Sequence, residues 1–313
     1  MPAPHASDEV PSPLPLRLRP YADETLLSLI TRLAELNRHE SAHWIALDAS
    51  VTVPAAQLGR QDLGRLADLS GLSAQTLRGL VYEEVDHDFH RVGRLIIPTQ
   101  LLRISHRRFC PPCLSALPYH RMLWDVSPIA ACPEHGCALF TTCACGHALE
   151  WASPSLTACR CGEDLRARPT QAAPSAVVAL SREIAMLAGY GIGRSALSLA
   201  FRDTPIAALL DLFRVVGEYD PDVAAEEVSR RLEPVEYVAA GYHRCRNWPG
   251  PFRRFLRELQ ASPARLGAIR WPYRTITDFR RAVPDLAPSA AATAVAREVR
   301  RFVSQSGQDT GVR

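Results

Sequence analysis

This chain of 313 residues contains no lysine: all 36 of its basic residues are arginine. That removes a P-loop lysine, a Schiff-base lysine and a kinase-type lysine from the available chemistry. It also lacks any run of about 18 uncharged apolar residues, so no transmembrane helix is expected. The start, Met-Pro-Ala-Pro-His continuing through Pro11, Pro13, Pro15 and Pro20, has no charged segment followed by an apolar core and does not read as a signal peptide. Excess charge is small, formally +3, so a basic surface has to be local. What remains is ordinary globular composition, 47% hydrophobic and 22% charged, at a length for two or three domains. The expected location is the cytoplasm, where thiols stay reduced and metal is favoured over disulfides.

Eight of the nine cysteines fall between residues 110 and 161. Seven of these form short hooks: C-P-P-C at Cys110–Cys113, C-P-E-H at Cys132–His135, C-A-C-G at Cys143–Gly146 and C-R-C-G at Cys159–Gly162. Two hooks close around one tetrahedral ion, and zinc accepts both Cys₃His and Cys₄ sets. Sequential pairing predicts two zinc ions, one on Cys110, Cys113, Cys132 and His135 and one on Cys143, Cys145, Cys159 and Cys161. The second set repeats internally, CACGHAL against CRCGEDL, with a glycine that lets backbone amides turn towards sulfur and a leucine to pack beneath the site. Cys137 competes for the place of His135 or Cys143, His120 and His147 are lesser candidates, and a Cys₄ iron–sulfur cluster is the alternative cofactor. Both sets are full, so a catalytic zinc with an open position is not expected. The patterns H-x-E…P-C-x-x-C and H-E-x-x-H are absent.

The fold class expected is mainly α: a helix-turn-helix region, a central double zinc module resembling a zinc ribbon, and a helical C-terminal domain. The divisions are a flexible arm over 1–20, helices over 21–100, the zinc module over 101–166, helices over 167–305 and a disordered tail over 306–313. Asp23 is read as the cap of a helix to about Asn37, followed by a second near Ser41–Leu47. Residues 61–82 read as a helix-turn-helix turning at Gly71, with Ser73 as cap, Leu77 inward, and Gln75 and Arg78 outward; a short helical hairpin that only packs is the plain alternative. Residues 163–175 look like a linker. Thr204-Pro205 and Gly217 bracket a helix, Asp220-Pro221 starts another through Leu232, and more follow near 251–260, 275–282 and 289–304.

Two basic segments are candidate contacts for nucleic acid or an acidic partner. Residues 89–124 carry Arg91, Arg94, Arg103, Arg107, Arg108 and Arg121 with no Asp or Glu. Around 242–257, Arg244, Arg246, Arg253 and Arg254 alternate with Tyr242, Trp248 and Phe252, a pattern for phosphate contact and stacking. The alternative is a solvated face in the first case and an amphipathic helix with Phe252, Phe255 and Leu256 buried in the second.

P-Y-A-D-E-T-L-L-S-L-I-T-R-L-A (Pro20–Ala34), R-R-F-C-P-P-C-L (Arg107–Leu114), Y-H-R with Trp124, and A-C-P-E-H-G-C-A-L (Ala131–Leu139), followed by the C-x-C-G repeats, resemble the TniQ family of transposon target-selection proteins related to TnsD. The resemblance spans about residues 18–166; beyond it only Asn247-Trp248-Pro249 and the helices are similar. It implies a non-catalytic adaptor that links a target, marked by DNA sequence or a guide-RNA effector complex, to an AAA+ ATPase and through it to a transposase. It also allows a homodimer, and no membrane partner. C-x-C stands where relatives often have C-x₂-C, and the long C-terminal extension of TnsD-like site readers is lacking. The competing readings are a helix-turn-helix transcription regulator reading DNA through Gln75 and Arg78, and a zinc hydrolase or nuclease, for which no acid–base constellation is visible.

Overall fold

A computed structural model describes residues 12–53, 55–59, 62–151, 155–219, 234–261 and 276–309. Apolar residues at three- and four-residue spacing make α1 (Leu26–Leu36), which buries Leu26, Leu27, Leu29, Ile30, Leu33 and Ala34. Each such leucine, fully removed from water, contributes about 1.5–3 kcal/mol. The cap is Thr25, whose side chain accepts the Ser28 amide, and not Asp23 as the sequence suggests. Asp23 is drawn away by stronger partners, accepting from the Tyr119 hydroxyl at 2.6 Å and from Arg121 at 3.1 Å.

Next come α2 (Ala42–Asp48), α3 (Gly64–Ser70) and α4 (Ala74–Arg78). Between α3 and α4 the backbone turns at Gly71 with φ +68°, and the Gly71 amide reaches Ala67 O at 2.8 Å. Ser73 caps α4 by accepting the Thr76 amide at 3.0 Å. Leu77 is buried, while Gln75 and Arg78 are exposed. Leu63, Leu66, Leu69 and Leu77 join α1 and α2 in one core that also takes in Leu14, Trp151 and Leu156. Residues 12–20 are therefore no free arm: Leu14 is buried, its amide bonds Leu69 O at 2.8 Å, and Leu16 exchanges bonds with the Asn37 side chain. The rest of the expected arm, residues 1–11, lies outside the described residues.

A small sheet, absent from the sequence reading, follows: β1 (Glu83–Asp86), β2 (Phe89–Val92) and β3 (Leu95–Pro98), in the order β1-β2-β3. β1 and β2 run antiparallel with Glu83 opposite Arg91, and these side chains pair at 2.8 Å. The strands are four residues long and β1 is exposed throughout, so no alternation marked it. α5 (Pro111–Ala116) then opens with proline in its first turn.

The C-terminal part is α6 (Ser175–Ala188), α7 (Leu199–Arg202), α8 (Ile206–Glu218), α9 (Pro234–Cys245), α10 (Gly250–Ala261), α11 (Ile276–Ala282) and α12 (Ala290–Asp309). Gly217 does not end α8. It lies inside the helix, where a Cβ would meet Tyr237 O at 1.8 Å, and a Cβ on Gly241 of α9 would meet Phe213 O at 1.7 Å. Paired glycines thus let α8 and α9 cross backbone to backbone. Thr204 bonds Ala200 O and accepts the Ala291 amide instead of capping α8. α12 continues to Asp309, past the expected start of a disordered tail. The helix expected over 220–232 lies outside the described residues. By packing density the chain divides into two compact units, one holding α1 to α4 and the C-x-C-G segments, the other holding the chain from Ala173 onwards. Among the described residues no helix is long and apolar enough to cross a membrane.

Candidate metal centre

The two C-x-C-G segments fold as copies of one hairpin. Cys143 N bonds His147 O at 2.9 Å and Gly146 N bonds Cys143 O at 3.0 Å; sixteen residues on, Cys159 N bonds Glu163 O at 3.0 Å and Gly162 N bonds Cys159 O at 2.9 Å. Thr142 bridges Ala148 and Ala158 bridges Asp164 at matching positions. Gly146 and Gly162 sit at φ +87° and +89°, a region closed to most side chains, which is why glycine follows the second cysteine. Leu149 and Leu165, the last letters of the repeat, are 1% and 0% exposed. The expected linker over 163–175 is therefore partly this second hairpin, held down by Leu165.

The hairpins bring Cys143, Cys145, Cys159 and Cys161 together with all ligand atoms within 4.8 Å of one another. Four sulfurs on a tetrahedral zinc with Zn–S of about 2.3 Å lie about 3.8 Å apart. The Cys143–Cys161 and Cys145–Cys159 sulfur separations are 3.7 and 3.8 Å. That spacing fits a tetrahedral metal and is far longer than a disulfide bond of about 2.05 Å. The tight turn also softens thiolate charge: the His147 backbone amide, then its side chain, bring the Cys145 thiol down to about 6. At Cys161 the Glu163 amide also lowers the thiol, although the neighbouring sulfurs and desolvation together leave it raised.

Cys110, Cys113, Cys132 and His135 are the other set of residues that could hold a metal ion. Cys110 caps α5 and Cys113 lies one turn in; Gly136, at φ +66°, bonds Cys132 O at 2.9 Å and closes the C-P-E-H turn. The Cys132 sulfur is 3.6 Å from His135 Nδ1, and the three cysteines are at most 1% exposed. Cys137 lies outside the group of four, but its sulfur is 3.5 Å from that of Cys110. Among the described residues no disulfide joins any cysteine. Both donor sets fit zinc, and each already offers four ligands.

The arginine segments come apart in three dimensions. Arg103 is exposed, with Nε on the Ser127 hydroxyl at 2.9 Å. Arg107 and Arg108 are 3% and 7% exposed and are not a solvent-facing phosphate site, because the chain entering the metal hook runs through the core. Arg121 is largely covered and held by Asp23 at 3.1 Å and over the Tyr119 ring at 4.7 Å. Further along, Tyr242, Phe252 and Phe255 are core residues, so they offer no stacking platform. Arg244 pairs with Glu258 at 3.1 Å, Arg253 with Glu298, and Arg246 is partly covered, which leaves Arg254 as the exposed cation of that set.

Sequence reasoning missed a buried polar network. Glu24, 0% exposed, accepts Arg32 at 2.6 Å, the Ser28 hydroxyl at 2.7 Å and the Tyr21 amide at 3.0 Å. Tyr21 stacks on Tyr119 at 4.2 Å. Asp125 accepts from the Tyr82 hydroxyl at 2.7 Å and pairs with His120 at 2.8 Å, so His120 serves the core and no metal. Ser28 and Arg32 stand four residues apart on one face of α1, and Glu24, just before the cap, continues that spacing, the one signal that could have revealed them.

Residues 15–139 match the TniQ family model. This segment is a TniQ-family domain. No curated protein matches it. The matched segment takes in the Glu24 and Asp125 networks and the Cys110–His135 group, and ends before the C-x-C-G hairpins. TniQ proteins are associated with target selection in transposition, in complexes with DNA and ATPase partners, and no enzymatic family is indicated.

Proposed function

We propose that this TniQ protein is a non-catalytic adaptor that ties a target, marked by DNA sequence or by a guide-RNA effector complex, to an AAA+ ATPase and thereby to a transposase. The observation that carries the reading is the TniQ match over residues 15–139, joined to two full four-ligand sets. Zinc would be held by Cys110, Cys113, Cys132 and His135 and by Cys143, Cys145, Cys159 and Cys161. When bound, it supplies folding energy to short loops that bury little apolar surface of their own. Full ligand sets leave no coordination position for a reacting water, which supports a structural part for the metal. The working surfaces we assign are Gln75 and Arg78 on α4, Arg103, and Arg254 on α10, all exposed. Homodimer formation is compatible with this reading and is left to the assay.

The exposed Gln75 and Arg78 favour one second reading, a DNA-binding regulator that uses the α3–α4 hairpin as a helix-turn-helix. The test titrates the full chain onto target DNA with and without the neighbouring AAA+ ATPase and ATP, at two salt concentrations. The adaptor reading expects weak, salt-sensitive binding alone and assembly that requires the ATPase. Tight, sequence-specific binding alone, unchanged by the ATPase and lost in Gln75→Ala, would replace it with the regulator.

A further inference from the structure

We propose that a buried cavity beneath the C-x-C-G hairpins binds a single small anion of the halide class. The cavity is lined by Arg107, Arg108, His120, Trp124 and the two repeat leucines, Leu149 and Leu165, and has room for one water-sized occupant. That size rejects phosphate, sulfate and carboxylates.

Two side chains of the lining, Arg107 and Trp124, carry buried donors with no acceptor among the described residues. Arg107 is 3% exposed; its Nη1 reaches Ser155 O at 3.1 Å, while Nε and Nη2 have no hydrogen-bond partner among the described residues. Trp124 is fully buried, and its indole N–H is likewise unpartnered among them. Arg108 adds a second buried guanidinium, with Nη2 on Val126 O at 2.8 Å. Asp125, the carboxylate of this neighbourhood, has its oxygens taken by Tyr82 and His120. Glu35 and Cys159 act on Arg107 only as electrostatic neighbours, and burial still lowers its guanidinium to about 10.

A buried donor without an acceptor costs about 1–3 kcal/mol, and more when it is charged. Water in the cavity would accept from two of these N–H groups and leave the charge uncompensated. A monatomic anion accepts from guanidinium and indole alike, needs no donor in return, and neutralises charge where the dielectric is low. Chloride is the abundant member of the class.

The test uses the full wild-type chain. Crystals soaked in sodium bromide are examined for an anomalous peak, and thermal unfolding is followed in sodium chloride against sodium gluconate at equal ionic strength. A bromide peak among Arg107, Arg108 and Trp124 is expected, with a Tm that climbs with chloride concentration as ligand linkage requires and does not climb in gluconate. Trp124→Phe deletes one donor and should weaken the apparent chloride affinity by about tenfold. Arg107→Gln should remove the chloride dependence; the bromide crystal needs no variant and decides the matter if that protein does not fold. A water in place of bromide, with identical unfolding in both salts, would overturn the proposal and assign the neutralisation of Arg107 to the thiolates around Cys159. Because neither readout involves DNA or the ATPase, the result stands apart from the adaptor assay.

Discussion

Replacing Arg108 by glutamate should unfold the N-terminal unit and not merely weaken contacts with nucleic acid. The side chain is 7% exposed and donates from Nη2 to Val126 O at 2.8 Å. Losing a hydrogen bond from a charged donor costs about 1.5–3 kcal/mol. The new carboxylate would face a carbonyl it cannot bond and would lie close to Asp125, whose charge already favours the cation at position 108. An uncompensated buried charge costs about 3–5 kcal/mol. The sum, about 5–8 kcal/mol, is comparable to the whole stability of a domain, about 5–15 kcal/mol.

Arg108→Met should be far milder. Desolvation lowers the Arg108 guanidinium from its ordinary value to about 10, so holding its charge in the core costs on the order of 3 kcal/mol, which methionine avoids. The folded-state value lies below the unfolded one. That cost is therefore present in full at pH values below about 10 and relieved only as pH rises through the folded-state value, so stability between pH 5 and 9 should not depend on this group. Circular dichroism melts, run beside zinc content and DNA binding for Arg108→Glu, Arg108→Met and the exposed Arg103→Glu, provide the assay. A glutamate variant that melts like wild type while losing target-DNA binding would refute the argument and return Arg108 to the surface.

Elemental analysis should find two zinc ions per chain and one in Cys161→Ser, with metal released as pH falls because thiolate ligands must take up protons; full zinc content in the variant would defeat the ligand set. Gly146→Ala and Gly162→Ala meet no atom within 4 Å, so only their φ of +87° and +89° is strained; each should lower stability by about 1–2 kcal/mol and weaken zinc retention in a chelator competition, and unchanged retention would show that the turn can relax. Gly241→Ala places a methyl 1.7 Å from Phe213 O and should destabilise the C-terminal unit by more than about 3 kcal/mol, read as a drop in Tm with zinc content intact; a Tm within a few degrees of wild type would mean that α8 and α9 separate cheaply.

The metal sets were legible in the sequence because ligand chemistry is local. Hooks such as Cys110–Cys113 and Cys159–Cys161 present two donors from one turn, and only the pairing of hooks is a tertiary matter. The repeat CACGHAL/CRCGEDL likewise announced its positive-φ glycines and its buried leucines, since both follow from the backbone of a single hairpin. Gln75, Leu77 and Arg78 fell on their expected sides because one helix turn separates them. Charge did not read so directly. An arginine is written the same way whether it lies on the surface, as Arg103 does, or in the core, as Arg107 and Arg108 do, and burial depends on residues far along the chain. Gly217 looked like a helix end until Gly241, 24 residues away, was seen to cross it. Asp23 resembled a cap until Tyr119 and Arg121 claimed its oxygens. The sequence by itself determined most helices, the donors and the family pattern, which are set by short-range sterics and bonding; the tertiary structure decided the small sheet, which cations meet solvent and which polar groups share the core, because pairing, desolvation and close packing depend on distant parts of the chain.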